Sequence, residues 1–198
     1  MLLRVKPGAV CEHGMVTHDK VRWCSFSTDR LIVDEWHNLS ARLGLDLVEV
    51  VTSVLTEATT AALPSEWSGD FENERARTWM EARDAESPTL LAVEHETGRA
   101  IGLLILFEVA DEGASCGVEV RLGYVLAEVA WGRGFASELV GGLVEWARSK
   151  SSIRTISAGI APTNEASERV LLRNGFLPSG ASDGEQIYQI FLKSAGVR

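Results

Sequence analysis

The chain is poor in cysteine, in long apolar runs and in positive charge, and each shortage removes a class of function. Three cysteines, Cys11, Cys24 and Cys116, are odd in number and widely spaced. They suit neither a disulfide framework nor a zinc site, and they agree with a reducing compartment. His13 and His18 add no ligand spacing, so no metal is expected. No apolar stretch approaches the roughly 18 residues of a membrane span. Met1 to Lys6 carries two basic residues and too short an apolar run for a signal peptide, so a cytoplasmic protein without a membrane partner is expected. Lysine and arginine total 19 against 28 acidic residues, a formal charge of −9. That balance argues against nucleic acid, which needs clustered cations, and is compatible with a cationic amine substrate. No Pro/Gly/Ser-rich linker divides the 198 residues, and 45% apolar content suffices for one well-buried core. A single domain over 1–198 is the expectation.

What the chain does have is a strand that runs into a glycine loop. Leu122 to Leu126 reads Leu-Gly-Tyr-Val-Leu, and after a short break Trp131-Gly132-Arg133-Gly134-Phe135-Ala136-Ser137 opens a helix. The first turn of a helix carries amide N–H groups without intrahelical partners and a partial positive charge. A phosphate fits that end. Gly132 and Gly134 have no Cβ, so phosphate oxygens can approach the amides, and Ala136 keeps the next turn nearly as bare. The dinucleotide fingerprint is excluded because Ser137 stands where its third glycine belongs, and a Walker loop because the chain contains no Gly-Lys pair.

The segment Trp131 to Ala136 resembles the acyl-coenzyme-A signature of the GNAT acetyltransferase superfamily, in the Trp-Gly-x-Gly-[Tyr/Phe]-Ala form of the ribosomal-protein N-terminal acetyltransferase branch. Two further stretches resemble the same superfamily. Thr28-Asp29-Arg30-Leu31-Ile32-Val33 is similar to its first strand, and Asn164-Glu165-Ala166-Ser167 with Asn174-Gly175-Phe176 is similar to its last helix. The resemblance implies an α/β (α+β) domain with a mixed, mostly antiparallel sheet of six to seven strands, about four flanking helices, and a splay at the strand before the glycine loop. It implies acetyl-CoA as cosubstrate and an amine-bearing acceptor, either a small molecule or a protein N-terminus, with a homodimer by analogy. Residues 28–198 would form the core and 1–27 an extension without an assigned role.

Periodicity gives the rest of the outline. Val21 to Phe26 alternates enough for an extra strand, and Leu43 to Thr60 carries Leu47, Val50, Val51, Val54 and Leu55 at helical spacing. Leu63 to Trp67 reads as a loop, and Asp70 to Asp84 as a helix with Phe71, Trp79 and Met80 inward. Trp36, Trp67 and Trp79 would either line an acceptor pocket or pack in the core. Thr89 to Glu94 and Arg99 to Glu108 form a hairpin, Asp111 to Gly113 a turn, and Cys116 to Leu126 the strand before the loop. A helix over Gly134 to Lys150 contains Gly141-Gly142, whose cost of about 1 kcal/mol each predicts compensation by close packing. A strand over Thr155 to Ile160, a helix ending at Asn174-Gly175 and a last strand at Tyr188 to Lys193 complete the chain.

For chemistry, the resemblance implies that backbone groups near Val125 and Leu126 pair with the pantetheine arm, that Trp131 opens the cofactor-binding loop and the amides from Gly132 to Ser137 bind pyrophosphate, and that Asn164 contacts the pantetheine region while capping its helix. Arg133 would either touch a phosphate or stay in solvent. Close relatives place a Glu where this chain has Arg121, so Glu119, one pleat earlier, is the candidate base, with Glu108 in reserve. The alternative for Glu119 is a charge pair with Arg121. Leu171 occupies a common position of the acid tyrosine, and the resemblance to the ribosomal-protein branch implies the Ser167 hydroxyl as candidate acid, the alternative being a backbone hydrogen-bonding group in the first turn. A non-catalytic acyl-CoA sensor is the alternative to an N-acetyltransferase.

Overall fold

A computed structural model describes residues 24–61, 63, 67–110 and 118–192. Its centre is one eight-stranded sheet: β1 (Phe26–Ser27), β2 (Leu31–Glu35), β3 (Thr89–Glu94), β4 (Ala100–Ala110), β5 (Val118–Leu126), β6 (Ile153–Ile160), β7 (Leu177–Ser182) and β8 (Glu185–Phe191). The spatial order is β1-β2-β3-β4-β5-β6-β8-β7, and every neighbouring pair is antiparallel except β5–β6. A parallel pair needs a crossover, and the helix α5 described below supplies it.

Two apolar cores cover the two faces. On one face α1 (Trp36–Leu43), α2 (Leu47–Val54) and α4 (Asn73–Glu86) pack on β3 and β4 through Trp36, Leu39, Val51, Val54, Trp79, Leu91 and Leu103. A short α3 (Glu57–Thr60) follows α2. On the other face α5 (Phe135–Arg148) and α6 (Glu165–Arg173) bury Phe135, Leu139, Leu143 and Leu171 against Val120, Leu122 and Ile156. This is the mixed, mostly antiparallel α/β architecture expected.

The outline departs from expectation in places with a physical cause. Among the described residues, eight strands and six α-helices exceed the six to seven and about four expected. The added strand β7 reads Leu-Pro-Ser-Gly-Ala-Ser, against strand propensity, and survives at the sheet edge where proline costs no ladder bond. The added helix α1 begins at Trp36 because the Glu35 carboxylate accepts hydrogen bonds from the amides of His37 and Asn38. The helix expected across Leu43 to Thr60 is two, broken where Thr56 starts a new capping box with Thr59. Cys11, Cys116, His13, His18, the first half of the expected strand from Val21 and the turn at Asp111 to Gly113 lie outside the described residues. Trp36 and Trp79 are core residues, 1% and 8% exposed, joined edge to face with Trp67. They belong to the packing of the α1–α4 face.

Gly142 meets the expected compensation. A Cβ there would lie 2.5 Å from the Phe26 ring and 2.8 Å from Thr28 Cγ2, so β1 sits directly against α5. The tightest approach is at Gly102, where a Cβ would stand 2.3 Å from Leu126 Cδ2 and 2.7 Å from the Val125 carbonyl oxygen. A carbonyl inside a ladder cannot move aside cheaply. Gly102→Ala is expected to cost about 1–3 kcal/mol by overpacking, read as a lower urea midpoint. An unchanged midpoint would mean that β4 and β5 approach less closely than described.

Candidate active site

The site begins where β5 loses a neighbour. Pairing with β6 runs only from Val118 to Arg121, opposite Ile153 to Ser157, whereas pairing with β4 continues to Leu126. Beyond Arg121 the sheet is therefore open on one edge of β5. The Ala127 amide donates to Ile101 O at 2.9 Å. Backbone direction alternates along an antiparallel ladder, so Val125 and Gly123 also turn their polar groups toward β4. Those of Tyr124 and Leu126 point into the opening. This moves the expected strand contact by one residue, from the Val125–Leu126 pair to Tyr124 and Leu126. The Leu126 carbonyl is already taken by the Trp131 indole N–H at 2.9 Å, which ties the start of the glycine loop to the strand.

The loop then delivers an uncapped helix. After a 3-10 turn at Glu128–Ala130, Gly132 and Gly134 adopt φ of 69° and 81°, and Gly134 is the N-cap of α5 with no side-chain capping bond. The first helical bond is Glu138 N to Gly134 O, leaving the amides of Phe135, Ala136 and Ser137 without intrahelical partners. The other wall is the start of α6, where Asn164 Oδ1 accepts the Ser167 amide at 3.1 Å, the expected cap. Between these walls lies a cavity of about 470 Å³, lined among others by Tyr124, Trp131, Gly132, Gly134, Ser137, Asn164 and Ser167, with Ala58 and Thr59 of α3 on its far side.

Sequence-predicted residues divide at this cavity. Val125, Leu126, Trp131, Gly132, Gly134, Phe135, Ala136, Ser137, Asn164 and Ser167 come together around it. Arg133 is half-exposed, and its side chain has a protein partner. It turns to Glu94 at 2.5 Å and lies over the Phe135 ring, 4.6 Å from its centroid. Glu119 is also elsewhere. It lies in the paired half of β5 and accepts a hydrogen bond from Ser157 Oγ, about 17 Å along the strand from Tyr124. The expected Glu119–Arg121 pair is absent, because Arg121 is drawn to Glu185 at 3.0 Å. Glu108 stands opposite Val120, on the α5–α6 side of the sheet. No carboxylate is among the described residues that line the cavity.

Two residues were passed over. Tyr124 is one: its hydroxyl is buried beside the Ser167 side chain, and burial raises its pKa while hydrogen bonding with Ser167 acts in the opposite direction. Its signal was a polar tip inside the apolar run Leu-Gly-Tyr-Val-Leu. Arg30 is the other. It sits in the turn before β2, stacked 4.3 Å over Phe135, and binds the Glu138 carboxylate and the Arg133 carbonyl. Its signal was the Thr-Asp-Arg-Leu motif.

Both carboxylates around the loop sit below the ordinary carboxylate range. At Glu138 burial acts upward but is outweighed by hydrogen bonds from Thr28, the Arg30 amide and the Arg30 side chain. At Glu94 the Thr97 hydroxyl is the largest cause, assisted by Arg133. A depressed folded pKa gives stability that is present above the unfolded value near 4.3 and lost as pH falls through the folded value. The melting temperature of the wild type is therefore expected to drop more steeply between about pH 5 and pH 3 than that of Glu138→Gln. Parallel curves would show that Glu138 titrates normally.

Comparison with known proteins agrees with this geometry. Residues 42–177 match the family model described as acetyltransferase (GNAT) domain. The chain belongs to the GNAT acetyltransferase family. Within that family, a 60-residue stretch is 37% identical to an uncharacterized N-acetyltransferase, YoaA, of Bacillus subtilis, covering 30% of this chain and 34% of that protein. The match spans about a third of the curated relative's length. Among solved structures, a GNAT acetyltransferase from Bacillus anthracis superposes with a TM-score of 0.65 at 16% identity, covering 86% of this chain and 99% of that one. A ribosomal-protein-S5-alanine acetyltransferase from Vibrio fischeri gives 0.57 at 16% identity, covering 86% and 97%. At these identities the structures agree in fold alone. The family uses acetyl-CoA, and this GNAT domain offers it a fitting cradle of uncapped α5 amides and a free β5 edge. Among the described residues no cluster of side chains could hold a metal ion, and no helix is long and apolar enough to cross a membrane.

Proposed function

We propose that this protein is an acetyl-CoA-dependent N-acetyltransferase that moves an acetyl group to a primary amine, a protein or peptide N-terminus or a small amine, by direct attack. Residues 28–198 are the proposed catalytic unit. The observation that carries the reading is the opening of β5 beside the uncapped start of α5, with one cavity spanning both. The amides of Gly132 to Ser137 hold the pyrophosphate, and Asn164 stands over the pantetheine region. Acetyl-CoA supplies the activated carbonyl and a thiolate leaving group.

The chain's own contribution follows from what lines the cavity. An N–H of the open β5 edge, at Tyr124 or Leu126, stabilises the oxygen anion that forms during attack, which is the electrostatic part of catalysis. Ser167 offers its hydroxyl on the cavity wall as the hydrogen-bond donor to the departing sulfur. Its amide, not its hydroxyl, serves the helix cap. With no carboxylate on the described lining, the acceptor enters as the free amine, and positioning supplies much of the rate. The acidic limb of the pH–rate profile is then expected to follow the acceptor's own ammonium, near 8 for an α-amine and above 10 for a lysine-type amine. It should not move in Glu119→Gln. A limb that shifts in Glu119→Gln would reinstate Glu119 as the base, acting through water.

Titration calorimetry with acetyl-CoA tests the cofactor assignment, and thiol release across an amine panel separates the enzyme from an acyl-CoA sensor. Binding with amine-stimulated thiol release is expected. Binding without it on any amine would favour the sensor.

A further inference from the structure

The start of α5 carries a contradiction: a carboxylate, Glu138, sits on the first turn of the helix assigned above to phosphate binding. A negative side chain there is favourable to the helix but competes with an anionic ligand for the same positive end and repels it. Helical side chains also lean toward the N-terminus, which brings the charge closer to the loop.

The contradiction is resolved by Arg30. Its Nε donates to Glu138 Oε2 at 2.6 Å, its Nη2 lies 2.5 Å from the same oxygen, and its backbone amide donates to Oε1 at 2.8 Å. Thr28 Oγ1 donates to Oε1 at 2.5 Å. The remaining fork of the guanidinium, Nη1, donates to the Arg133 carbonyl at 3.0 Å, inside the glycine loop. A Cβ at Gly134 would lie 3.6 Å from Arg30 Nη2, so the guanidinium rests against the loop backbone. Arg133, the cation within the loop, is committed to Glu94, and both arginines lie over Phe135. Arg30 and Arg133 are thus each matched to a carboxylate, and a further cation, Arg173, reaches the cavity lining from α6.

We infer that Arg30 is a positioning residue for the phosphate site: it holds the Gly132–Gly134 backbone through the Arg133 carbonyl and cancels the charge of Glu138, so that a phosphate meets bare amides. The inference rests on the reading that the loop binds the coenzyme's pyrophosphate. The residues involved are more than 100 positions apart in the chain, so the Thr-Asp-Arg-Leu turn serves the glycine loop as its far anchor.

The test is the affinity for coenzyme A, measured by titration calorimetry at several salt concentrations. Variants are Arg30→Ala, Arg30→Lys, Glu138→Gln and the Arg30→Ala/Glu138→Gln pair, each checked for folding by circular dichroism. Arg30→Ala is expected to bind about tenfold more weakly, equivalent to about 1.4 kcal/mol. The double variant should recover the part of that loss that comes from the uncancelled Glu138 charge, which a merely structural arginine would not allow. Arg30→Lys should fall between, because an ammonium keeps the charge but not the fork. Glu138→Gln alone frees a guanidinium beside the loop and should bind at least as tightly as wild type, with a steeper salt dependence. If Arg30→Ala does not fold, Glu138→Gln and Arg30→Lys decide. Wild-type affinity in Arg30→Ala, no recovery in the double variant, or an unchanged salt slope in Glu138→Gln would overturn the inference while leaving the phosphate site standing. A wild-type protein that binds no coenzyme A would overturn both.

Discussion

Gly134→Glu is expected to reduce acetyl-CoA affinity by a factor of 100 or more, about 2.7 kcal/mol or above. Two effects add. Gly134 has φ of 81°, a left-handed backbone that costs an ordinary L-residue about 1–3 kcal/mol and so favours a shifted loop. The new carboxylate also stands at the N-cap of α5, where it takes the dipole and the free amides for itself and repels phosphate. Space is not the obstacle, since the nearest atom to a Cβ is Arg30 Nη2 at 3.6 Å. Gly134→Ala isolates the backbone effect and should lose less. Calorimetry reads both, and affinity within threefold of wild type in Gly134→Glu would mean that the phosphate lies elsewhere.

Phe135→Ala carries the largest expected cost in stability. The ring is fully buried in the α5–α6 core and is covered by Arg30 and Arg133, 4.3 and 4.6 Å from its centroid. Truncating a core phenylalanine costs about 3–5 kcal/mol, and the lost cation–π contacts add about 0.5–1 kcal/mol at such partly exposed arginines. Against a total stability of about 5–15 kcal/mol, this lowers the melting temperature by roughly 10 °C or more. Phe135→Leu retains most of the burial and should cost much less. Urea denaturation provides the measurement, and a loss below about 1 kcal/mol for Phe135→Ala would contradict the packing described.

Much of this site was legible in the chain because its chemistry is local. Gly132 and Gly134 between an apolar strand and an amphipathic helix, and Asn164 three residues before Ser167, are short-range patterns whose physical meaning is set by backbone geometry. The hairpin of β3 and β4 and the stripe Phe135, Leu139, Leu143 were legible for the same reason. What stayed hidden depends on partners distant in sequence. Nothing near Arg133 announces Glu94, and nothing near Glu119 or Arg121 announces Ser157 or Glu185; each pairing is made by the sheet bringing separate strands side by side. The splay is equally non-local. Its end at Arg121 is set by how far β6 follows β5, so which backbone groups near Val125 and Leu126 face the opening depends on a register that the chain alone does not print. Edge strand β7 was missed because its proline and glycine oppose strand propensity, and edge position alone permits them.

The fold explains why the remaining chemistry gathers where it does. A parallel β5–β6 step requires α5 to cross over the sheet, and the helix must therefore start at the end of β5, where its amides face the open strand edge. The carbonyl-bearing arm and the phosphate end of one ligand can then be held by consecutive segments of chain. Cys24 takes no part: it is buried, and burial pushes its thiol well above the usual range, so it is unreactive as a nucleophile.

The most direct test of the central claim is acetyl transfer itself. Purified protein would be incubated with acetyl-CoA and a panel of peptide N-termini and small primary amines, with Gly134→Glu alongside, and the products read by mass spectrometry. The expected result is an acetylated amine formed by the wild type and not by the variant. Acetyl-CoA binding with no acetylated product from any amine would contradict the account.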